Sequence, residues 1–361
     1  MRPFDVQRCY YSPLRPLWRE PRPEYWATYR VGTPVLVSRF KAAKFPEGPP
    51  ITFARSLCDY HMMPPNASIF PILLRALPAA TGVNATRQGK LAIRQPEEAT
   101  NLVWNLSPLA RAYLQELNVS EHVDEVESAE VLWMHALAIG HSPTYLEENA
   151  DGIRQDWPRI PLTDSKELLL ASAGLGKQVA ALLDTETSYE TAISALFSGP
   201  NAPVGTPTLQ SIAAFTLPKG MTLDEAKHFA VTAGWGHAGK EGVTMPGKGK
   251  IIDRDYTEKE RASAAEAIKL LGEHTCDVYL NEFAHWSNIP LGVWEYTIGG
   301  YQVMKKWLSY REETLLRRPL TKEEVRYVQE MARRIAAILL LVPALDANYQ
   351  NVKAHTFPWK G

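Results

Sequence analysis

The sequence predicts a mixed α+β fold, and three observations lead to this assignment. Short segments rich in β-branched residues lie near the N-terminus, as in Thr33–Arg39 (TPVLVSR), whereas the middle of the chain has apolar residues at helical spacing. Thr222, Thr257 and Thr321 each precede a Glu by three residues, the capping-box pattern of a helix start. Helices therefore alternate with isolated strand pairs, which favours a mixed arrangement over a doubly wound sheet.

The composition limits the class of protein. The chain has 361 residues, of which 45% are hydrophobic and 22% charged, as in globular proteins. It has no apolar run of about 18 residues, and its N-terminus lacks the apolar stretch of a signal peptide. Cys9, Cys58 and Cys276 are far apart and odd in number, which argues for a reducing compartment and against a zinc cluster. We therefore expect a cytoplasmic protein that does not enter a membrane.

The small net charge of −1 hides a strong segregation along the chain. Residues 1–95 carry 14 Lys and Arg against 5 Asp and Glu, whereas residues 96–195 carry 5 against 17. We expect a single region, 1–361, with three sublobes: a basic β-rich part (1–95), an acidic helical part (96–200) and a mixed part with a C-terminal helix (201–361). The basic part either forms an anion-binding surface or docks on the acidic part, and the charges favour neither.

The sequence of the basic part predicts short strands joined by proline-rich loops. Strands are predicted at 33–39, 51–55 and 68–74, and prolines at positions 13, 16, 21 and 23 exclude a helix before them. Basic residues interleave with aromatic ones, a pattern suited to nucleic acid because Lys and Arg neutralise phosphates and Arg reads guanine edges. We select Arg30, Arg39, Lys41 and Lys44 as candidate DNA contacts.

Capping residues mark the helix starts in the rest of the chain. Ser107 begins a helix that reaches about residue 118, and Ser142 begins another. A helix is predicted from Ser128, and Asp164 or Ser165 caps a long helix that ends near residue 183. The helix that begins after residue 321 has one apolar face, formed by Val325, Val328, Met331, Ile335, Ile338, Leu339 and Val342.

Residues 294–311 (WEYTIGGYQVMKKWLSYR) combine a strand, a turn and a helix. Apolar residues at 294, 296 and 298 alternate with polar ones, which predicts a half-buried strand, and Gly299 and Gly300 then permit a tight turn. After the turn the spacing becomes helical, with Lys305, Lys306 and Arg311 on the side away from the apolar face. The unit either closes the core or turns its basic edge toward a polyanion.

Two segments rich in glycine and lysine suggest phosphate binding with different strength. Ala173–Lys177 (AGLGK) lacks the first glycine of a phosphate-binding loop and the Ser or Thr that would hold magnesium. It also lies within a helical pattern, so we interpret it as a helix with a glycine contact. The stretch 234–250 (GWGHAGKEGVTMPGKGK) precedes a predicted strand at 251–254. We interpret it as a mobile basic loop, with Lys248 and Lys250 as further candidate DNA contacts.

No catalytic or metal-binding motif stands out. Gly140–Thr144 (GHSPT) lacks the last glycine of a nucleophile elbow, and we interpret His141, beside a helix start, as a structural hydrogen-bonding residue. Asp59 and His61 have apolar neighbours, so we interpret them as a buried structural pair. An independent enzyme would require these side chains to meet in one concave pocket.

Several segments taken together resemble the type ISP restriction–modification enzymes. In the family's order they are RPFD (2–5), the pair Tyr10 and Tyr11, DYH (59–61) with FPILL (70–74), the stretch 132–160 around HSP (141–143) and PRIP (158–161), and 294–312. The match covers nearly the whole chain. The resemblance implies the C-terminal target-recognition, or specificity, region of an adenine-specific DNA methyltransferase with ATP-dependent restriction activity. In that family this region reads the DNA site.

The family's catalytic motifs are missing from this sequence. Met63–Asn66 (MPPN) does not match the motif that holds the target adenine, and Phe197–Asn201 (FSGPN) does not match the cofactor loop. The resemblance therefore implies a separately encoded or truncated DNA-recognition module with no cofactor of its own, S-adenosylmethionine belonging to the family's methyltransferase domain. The expected partners are double-stranded DNA and a methyltransferase or restriction domain or subunit. The alternative is a protein-interaction subunit or an inactive remnant of such an enzyme.

Overall fold

The computed structural model describes residues 3–6, 32–42, 44, 46–55, 58–59, 61–63, 66–75, 102–119, 125–198 and 209–359. The fold of these residues is mixed α+β, with several small sheets among many helices, as the sequence predicts. Arg30 and the Tyr10–Tyr11 pair lie outside the described residues.

Three short strands form an antiparallel sheet in the N-terminal part. β1 (Val35–Ser38) is central and pairs with β2 (Ile51–Ala54) on one side and β3 (Ser68–Pro71) on the other. All four residues of β1 are buried, so both faces of the strand are covered. β4 (Leu73–Arg75) then pairs with β5 (Leu102–Trp104). The strands predicted at 33–39 and 51–55 are confirmed, and the one predicted at 68–74 is divided in two.

Helices dominate the middle of the chain: α1 (Pro108–Glu116), α2 (Glu125–Gly140), α3 (Pro143–Glu148), α4 (Ala150–Gln155), α5 (Lys166–Leu183) and α6 (Tyr189–Ser198). The predicted caps are confirmed, because the side chains of Ser107, Ser142 and Ser165 accept hydrogen bonds from amides three residues further on. α2 begins three residues earlier than predicted. It packs along α5, which brings two long apolar surfaces together.

The C-terminal part contains the strands β6 (Ala214–Thr216), β7 (Gly236–Ala238), β8 (Thr244–Pro246), β9 (Ile251–Arg254), β10 (Thr275–Tyr279), β11 (His285–Pro290), β12 (Thr297–Ile298) and β13 (Tyr301–Gln302). Four of them form an antiparallel sheet in the order β6-β11-β10-β9, whereas β7–β8 and β12–β13 are separate hairpins. The helices here are α7 (Glu225–His228), α8 (Glu258–Ala264), α9 (Ile268–Leu271), α10 (Leu291–Glu295), α11 (Val303–Ser309), α12 (Glu313–Leu316), α13 (Lys322–Leu340) and α14 (Val342–Ala354).

One hydrophobic core joins the three parts. Its members include Leu36 from the N-terminal sheet, Met134 from α2, and Val328 and Met331 from α13, all at most 3% exposed. α13 contacts α5, α6, α10 and the four-stranded sheet, so its apolar face is covered along its length. The capping box at Thr321 is confirmed, and so is the buried face predicted for this helix as far as Ile338. Leu339 is only partly buried, and Val342 belongs to the next helix, α14.

Three predicted elements differ from those observed. The helix predicted from Thr222 is a single turn capped by Asp224, whose carboxylate accepts from the amide of Lys227. The capping box at Thr257 is present, but its helix ends at Ala264 because Ala265 has a φ of +46°. Trp294 lies in α10 and not in a strand: it and the adjacent Val293 are both buried, whereas a half-buried strand would place neighbouring side chains on opposite faces.

Candidate nucleic-acid interface

The strand–turn–helix unit of β12, β13 and α11 is the structural centre of the candidate interface. Ile298 pairs with Tyr301, so Gly299 and Gly300 form a two-residue hairpin turn with φ values of +62° and +75°. Two successive positive φ values define the turn type that matches the twist of a hairpin, and glycine adopts them at little cost. α11 begins directly after β13, and its seven residues span roughly 10 Å. The predicted turn and helix are therefore confirmed.

The start of α11 anchors the N-terminal basic loop. The amide of Gly300 donates to the carbonyl of Glu47 at 3.0 Å. A Cβ on Gly300 would lie 2.5 Å from the Cβ of Lys44, and one on Gly48 would lie 1.8 Å from the carbonyl oxygen of Thr297. The loop that carries Lys41 and Lys44 is thus held against the β12–β13 turn by backbone contacts that only glycine permits.

The end of α11 anchors the glycine-rich segment. A Cβ on Gly236 would lie 2.0 Å from the carbonyl oxygen of Ser309, the last residue of α11. The buried carboxylate of Glu312 accepts from the amides of Gly234 at 3.1 Å and Trp235 at 2.7 Å. The two basic segments selected from the sequence, far apart along the chain, are therefore fixed at the two ends of one short helix.

The glycine-rich segment is a β-hairpin and not a loose loop. β7 and β8 pair, and the chain then folds back over Trp235, which is fully buried. Gly247 donates to the carbonyl of Trp235, Gly249 donates to that of Gly234, and Gly249 has a φ of +68°. A Cβ on Gly249 would lie 2.1 Å from the indole ring of Trp235. The glycines therefore let the backbone pack directly on a buried tryptophan, and the side chains of Lys248 and Lys250 lie at the surface.

Four of the predicted contact residues are exposed. They are Lys41 and Lys44 in the N-terminal loop and Lys248 and Lys250 after β8. Within the described residues none of the four is in an ion pair with a carboxylate; Lys44 lies over the ring of Tyr301 at 3.5 Å and Lys250 over that of Tyr279 at 4.2 Å. Cations that keep their charge uncompensated at the surface are suited to phosphate contacts.

Arg39, the fifth predicted contact that the structure describes, occupies a different position. The residue is 4% exposed, and its guanidinium is in an ion pair with Glu47. Burial lowers the pKa of the guanidinium, and the neighbouring Glu47 carboxylate partly offsets this effect. In this geometry the buried Arg39 side chain holds the loop that contains Glu47 in place. A direct contact between Arg39 and DNA stays a prediction.

Two basic residues of α11 and its C-terminal end lie elsewhere than predicted. Lys306 is 7% exposed and Arg311 is 9% exposed, so neither belongs to an open basic edge. Arg311 donates to Asp5 at 2.9 Å and stacks on the ring of Trp307. Sequence spacing along one helix could not reveal this pair, because Asp5 lies 306 residues away. The pair joins RPFD (2–5) to the 294–312 segment.

The histidines considered for catalysis hold structural positions. His141 is buried and donates from Nδ1 to the carbonyl of Leu137, and burial lowers its pKa to about 4. The ring of His61 lies 2.8 Å from the carboxylate of Asp59, as expected of a pair, but His61 is about half exposed and the pair is not buried. Helical packing around Ala173–Lys177 is confirmed by Gly176, whose Cβ would lie 1.8 Å from the carbonyl oxygen of Met134.

The docking of the basic part on the acidic part involves few of the described charges. Of the four basic residues in 1–95 whose side chains are described, Arg55 alone pairs with an acidic residue of 96–195, namely Asp184 at 2.8 Å. The apolar faces of β2, α2 and α5 supply the contact instead.

No helix in the described ranges is long and apolar enough to cross a membrane. The same residues contain no group of three potential metal ligands.

Comparisons with known proteins identify a family for the chain. A family model described as the type ISP C-terminal specificity domain matches residues 1–336. Among solved structures, the chain is similar to the DrdV–DNA complex, with a TM-score of 0.53 and 15% identity over 96% of this chain and 27% of that chain. A comparison with curated proteins gives no match.

Two further solved structures have TM-scores below 0.5. One is a nuclease-deletion mutant of the type ISP enzyme LlaGI in complex with a DNA substrate mimic, with a TM-score of 0.47 and 13% identity over 96% of this chain and 24% of that chain. The other is the ATP-dependent type ISP enzyme LlaBIII bound to DNA, with a TM-score of 0.49 and 12% identity over 96% and 18%. The chain therefore spans between about a fifth and about a quarter of the length of the proteins it resembles.

Proposed function

This chain belongs to the family of type ISP C-terminal specificity domains, and we propose that it is the DNA-sequence-recognition module of a restriction–modification system. The family match over residues 1–336 carries this proposal. The fold shared with the DrdV–DNA complex supports it. The module contributes recognition and no catalytic residue, since the sequence has neither the adenine-binding motif nor the cofactor loop of the family.

The exposed lysines at the two ends of α11 are the proposed phosphate contacts. Lys44 lies beside the turn that leads into α11, Lys41 precedes it by three residues in the same loop, and Lys248 and Lys250 follow the hairpin fixed at the other end of the helix. Two groups of cations about one short helix apart can bind phosphates on either side of a groove, which positions the module on the duplex. Base contacts then supply the sequence specificity.

The partners follow from the proposed role. The module binds double-stranded DNA and works with a methyltransferase or restriction domain or subunit. That partner binds S-adenosylmethionine and carries out the methylation or cleavage. It needs no cofactor for binding DNA and acts in the cytoplasm, where the bacterial chromosome lies.

Binding of the 361-residue chain to a fluorescent duplex, followed by anisotropy over a series of KCl concentrations, tests the proposal. We expect the logarithm of the affinity to fall linearly with the logarithm of the salt concentration, with a slope of about −0.9 for each phosphate contacted. Four lysine contacts predict a slope of roughly −4. Affinity that is undetectable, or that does not change with salt, would contradict a DNA-binding role.

A further inference from the structure

Lys306 differs from the other buried cations of the described residues in the groups that surround it. Arg39 is in an ion pair with Glu47, Arg311 is in one with Asp5, and Arg334 donates to the carbonyl oxygens of residues 181, 182, 184 and 187. Lys306 is 7% exposed, yet within the described residues its ammonium contacts neither a carboxylate nor a carbonyl group. Its stem is therefore buried, whereas its ammonium reaches the surface, where it can meet an anion.

Two tyrosine rings flank this ammonium. Its Nζ lies 4.5 Å from the ring centroid of Tyr310 and 5.4 Å from that of Tyr301. The electron-rich face of an aromatic ring attracts a cation but carries no net charge, so the lysine remains an uncompensated positive charge. The rings fix where the ammonium lies without neutralising it.

Lys44 brings a second cation to the same ring. Its Nζ lies 3.5 Å from the centroid of Tyr301, and the contact between Gly300 and the Lys44 Cβ fixes the backbone from which it extends. Glu47, the nearest carboxylate along this loop, is already in an ion pair with Arg39. Lys44 and Lys306 therefore place two positive charges beside one ring, with no described acidic side chain in an ion pair with either.

We propose that Lys44, Tyr301, Lys306 and Tyr310, which we call the Tyr301 cluster, form a phosphate-binding site that holds one phosphodiester of the DNA backbone between the two ammonium groups. The inference rests on the proposed DNA-binding function and extends it to Lys306. A phosphodiester supplies the negative charge that Lys306 lacks, and the pair of lysines matches its two non-bridging oxygens. The site would fix the register of the module on the duplex at the start of α11.

The substitutions Lys44→Gln and Lys306→Gln, alone and combined, test the site in the anisotropy assay with the full chain. Each should make the salt slope less steep by about one, and the double substitution by about two. Each should weaken binding roughly tenfold at about 0.1 M salt. Lys306→Arg, which keeps the charge, should keep the slope. Lys227→Gln is the matched control, because Lys227 also lies over an aromatic ring, that of Phe283 at 4.1 Å, and no second lysine or arginine among the described residues lies over that ring.

The outcomes separate the site from the function. A folded double variant with the slope of the original chain would overturn the Tyr301 cluster as a phosphate site while the DNA-binding function stands. A slope that changes with Lys44→Gln and not with Lys306→Gln would also overturn it, since Lys44 would then act alone. A flat salt dependence of the original chain would overturn both proposals. If Lys306→Gln does not fold, Lys306→Met together with the exposed Lys44→Gln provides the same comparison.

Discussion

Two segments of the chain combine glycine with lysine and use them in opposite ways. In α5, Gly176 is buried against α2 and Lys177 is in an ion pair with Glu130 at 3.2 Å. In the segment 247–250, Gly249 wraps the ring of Trp235, and Lys248 and Lys250 are exposed with no ion pair among the described residues. The glycines serve close backbone packing in both places.

The lysines of the two segments differ in their surroundings. Lys177 already has a carboxylate within reach, so the helix presents a neutral surface pair. In the proposed function, the two lysines after β8 keep their charge for an external anion. A glycine–lysine motif therefore indicates phosphate binding only when the fold leaves the lysine without a partner, and this property depends on distant parts of the chain.

The largest effect is expected from Gly176→Ala in α5. A Cβ at this position would lie 1.8 Å from the carbonyl oxygen of Met134, so the two longest helices of the middle part would have to move apart. We expect the free energy of unfolding to fall by about 3 kcal/mol or more, measured by chemical denaturation.

Gly174→Ala is the control for this substitution. Gly174 lies in the same helix, two residues away, and a Cβ there meets no atom within 4 Å. Alanine favours the helix over glycine, so we expect a gain of about 0.5–1 kcal/mol. Equal effects of the two substitutions would contradict the packing role of Gly176.

A similar but smaller effect is expected from Gly249→Ala in the hairpin. The new Cβ would lie inside the ring of Trp235, and alanine at a φ of +68° is strained. We expect a loss of about 2–3 kcal/mol in the free energy of unfolding and weaker DNA binding, because Lys248 and Lys250 would be displaced. Gly242→Ala, with a φ of +77° and open space around the Cβ, should cost only about 1 kcal/mol and leave DNA binding unchanged.

Acid should weaken the α2–α5 contact. Burial lowers the pKa of His135 to about 4, and its ring contacts Ser172 of α5 at 2.8 Å. The folded chain keeps this histidine neutral, whereas the unfolded chain protonates it below its ordinary pKa of about 6.5. Stability is therefore fully present above about pH 6.5 and falls as the pH drops toward 4, by about 2 kcal/mol at pH 5.

Denaturation curves of the original chain and of His135→Gln at several pH values measure this effect. The variant should be less stable at neutral pH. On acidification its free energy of unfolding should fall less, and the difference is the contribution of the proton that His135 takes up. His141, whose pKa is also about 4, leaves a residual pH dependence in both proteins. An unchanged pH dependence in the variant would show that His135 is not the titrating group.

The smallest effect on stability and a clear effect on binding are expected from Lys248→Gln with Lys250→Gln. Both side chains are exposed, so the free energy of unfolding should change by less than about 0.5 kcal/mol. The salt slope of DNA binding should become less steep by about two. Lys177→Gln removes the same charge from the other segment and should change neither quantity by a measurable amount.

Local signals in the sequence predicted much of the fold. The caps at Ser107, Ser142, Ser165, Thr257 and Thr321 are correct because a cap depends on a hydrogen bond to an amide within the same turn. The cap predicted at Thr222 is wrong, and the reason is again a hydrogen bond within one helical turn. The imidazole of His228 accepts from the amide of Asp224, and Asp224 caps the helix two residues later than predicted.

Long-range contacts account for what the sequence could not predict in the candidate site. The exposure of Lys41, Lys44, Lys248 and Lys250 agrees with their polar surroundings in sequence. The burial of Arg39, Lys306 and Arg311 does not follow from the spacing of apolar residues, and the partner of Arg311, Asp5, lies 306 residues away. The common anchoring of both basic segments on α11 likewise depends on contacts between residues more than 60 positions apart.

The hairpin of β7 and β8 has a fixed base and an unconstrained tip. Gly236, Gly247 and Gly249 hold its base. Within the part of the chain that the structure describes, the tip is closed by local bonds such as that from the Gly239 amide to the Val243 carbonyl, and Val243 is 59% exposed. Residues can therefore be inserted or exchanged at the tip without altering the stem. On the proposed function, libraries that vary the tip alone are therefore a way to select new DNA-sequence preferences.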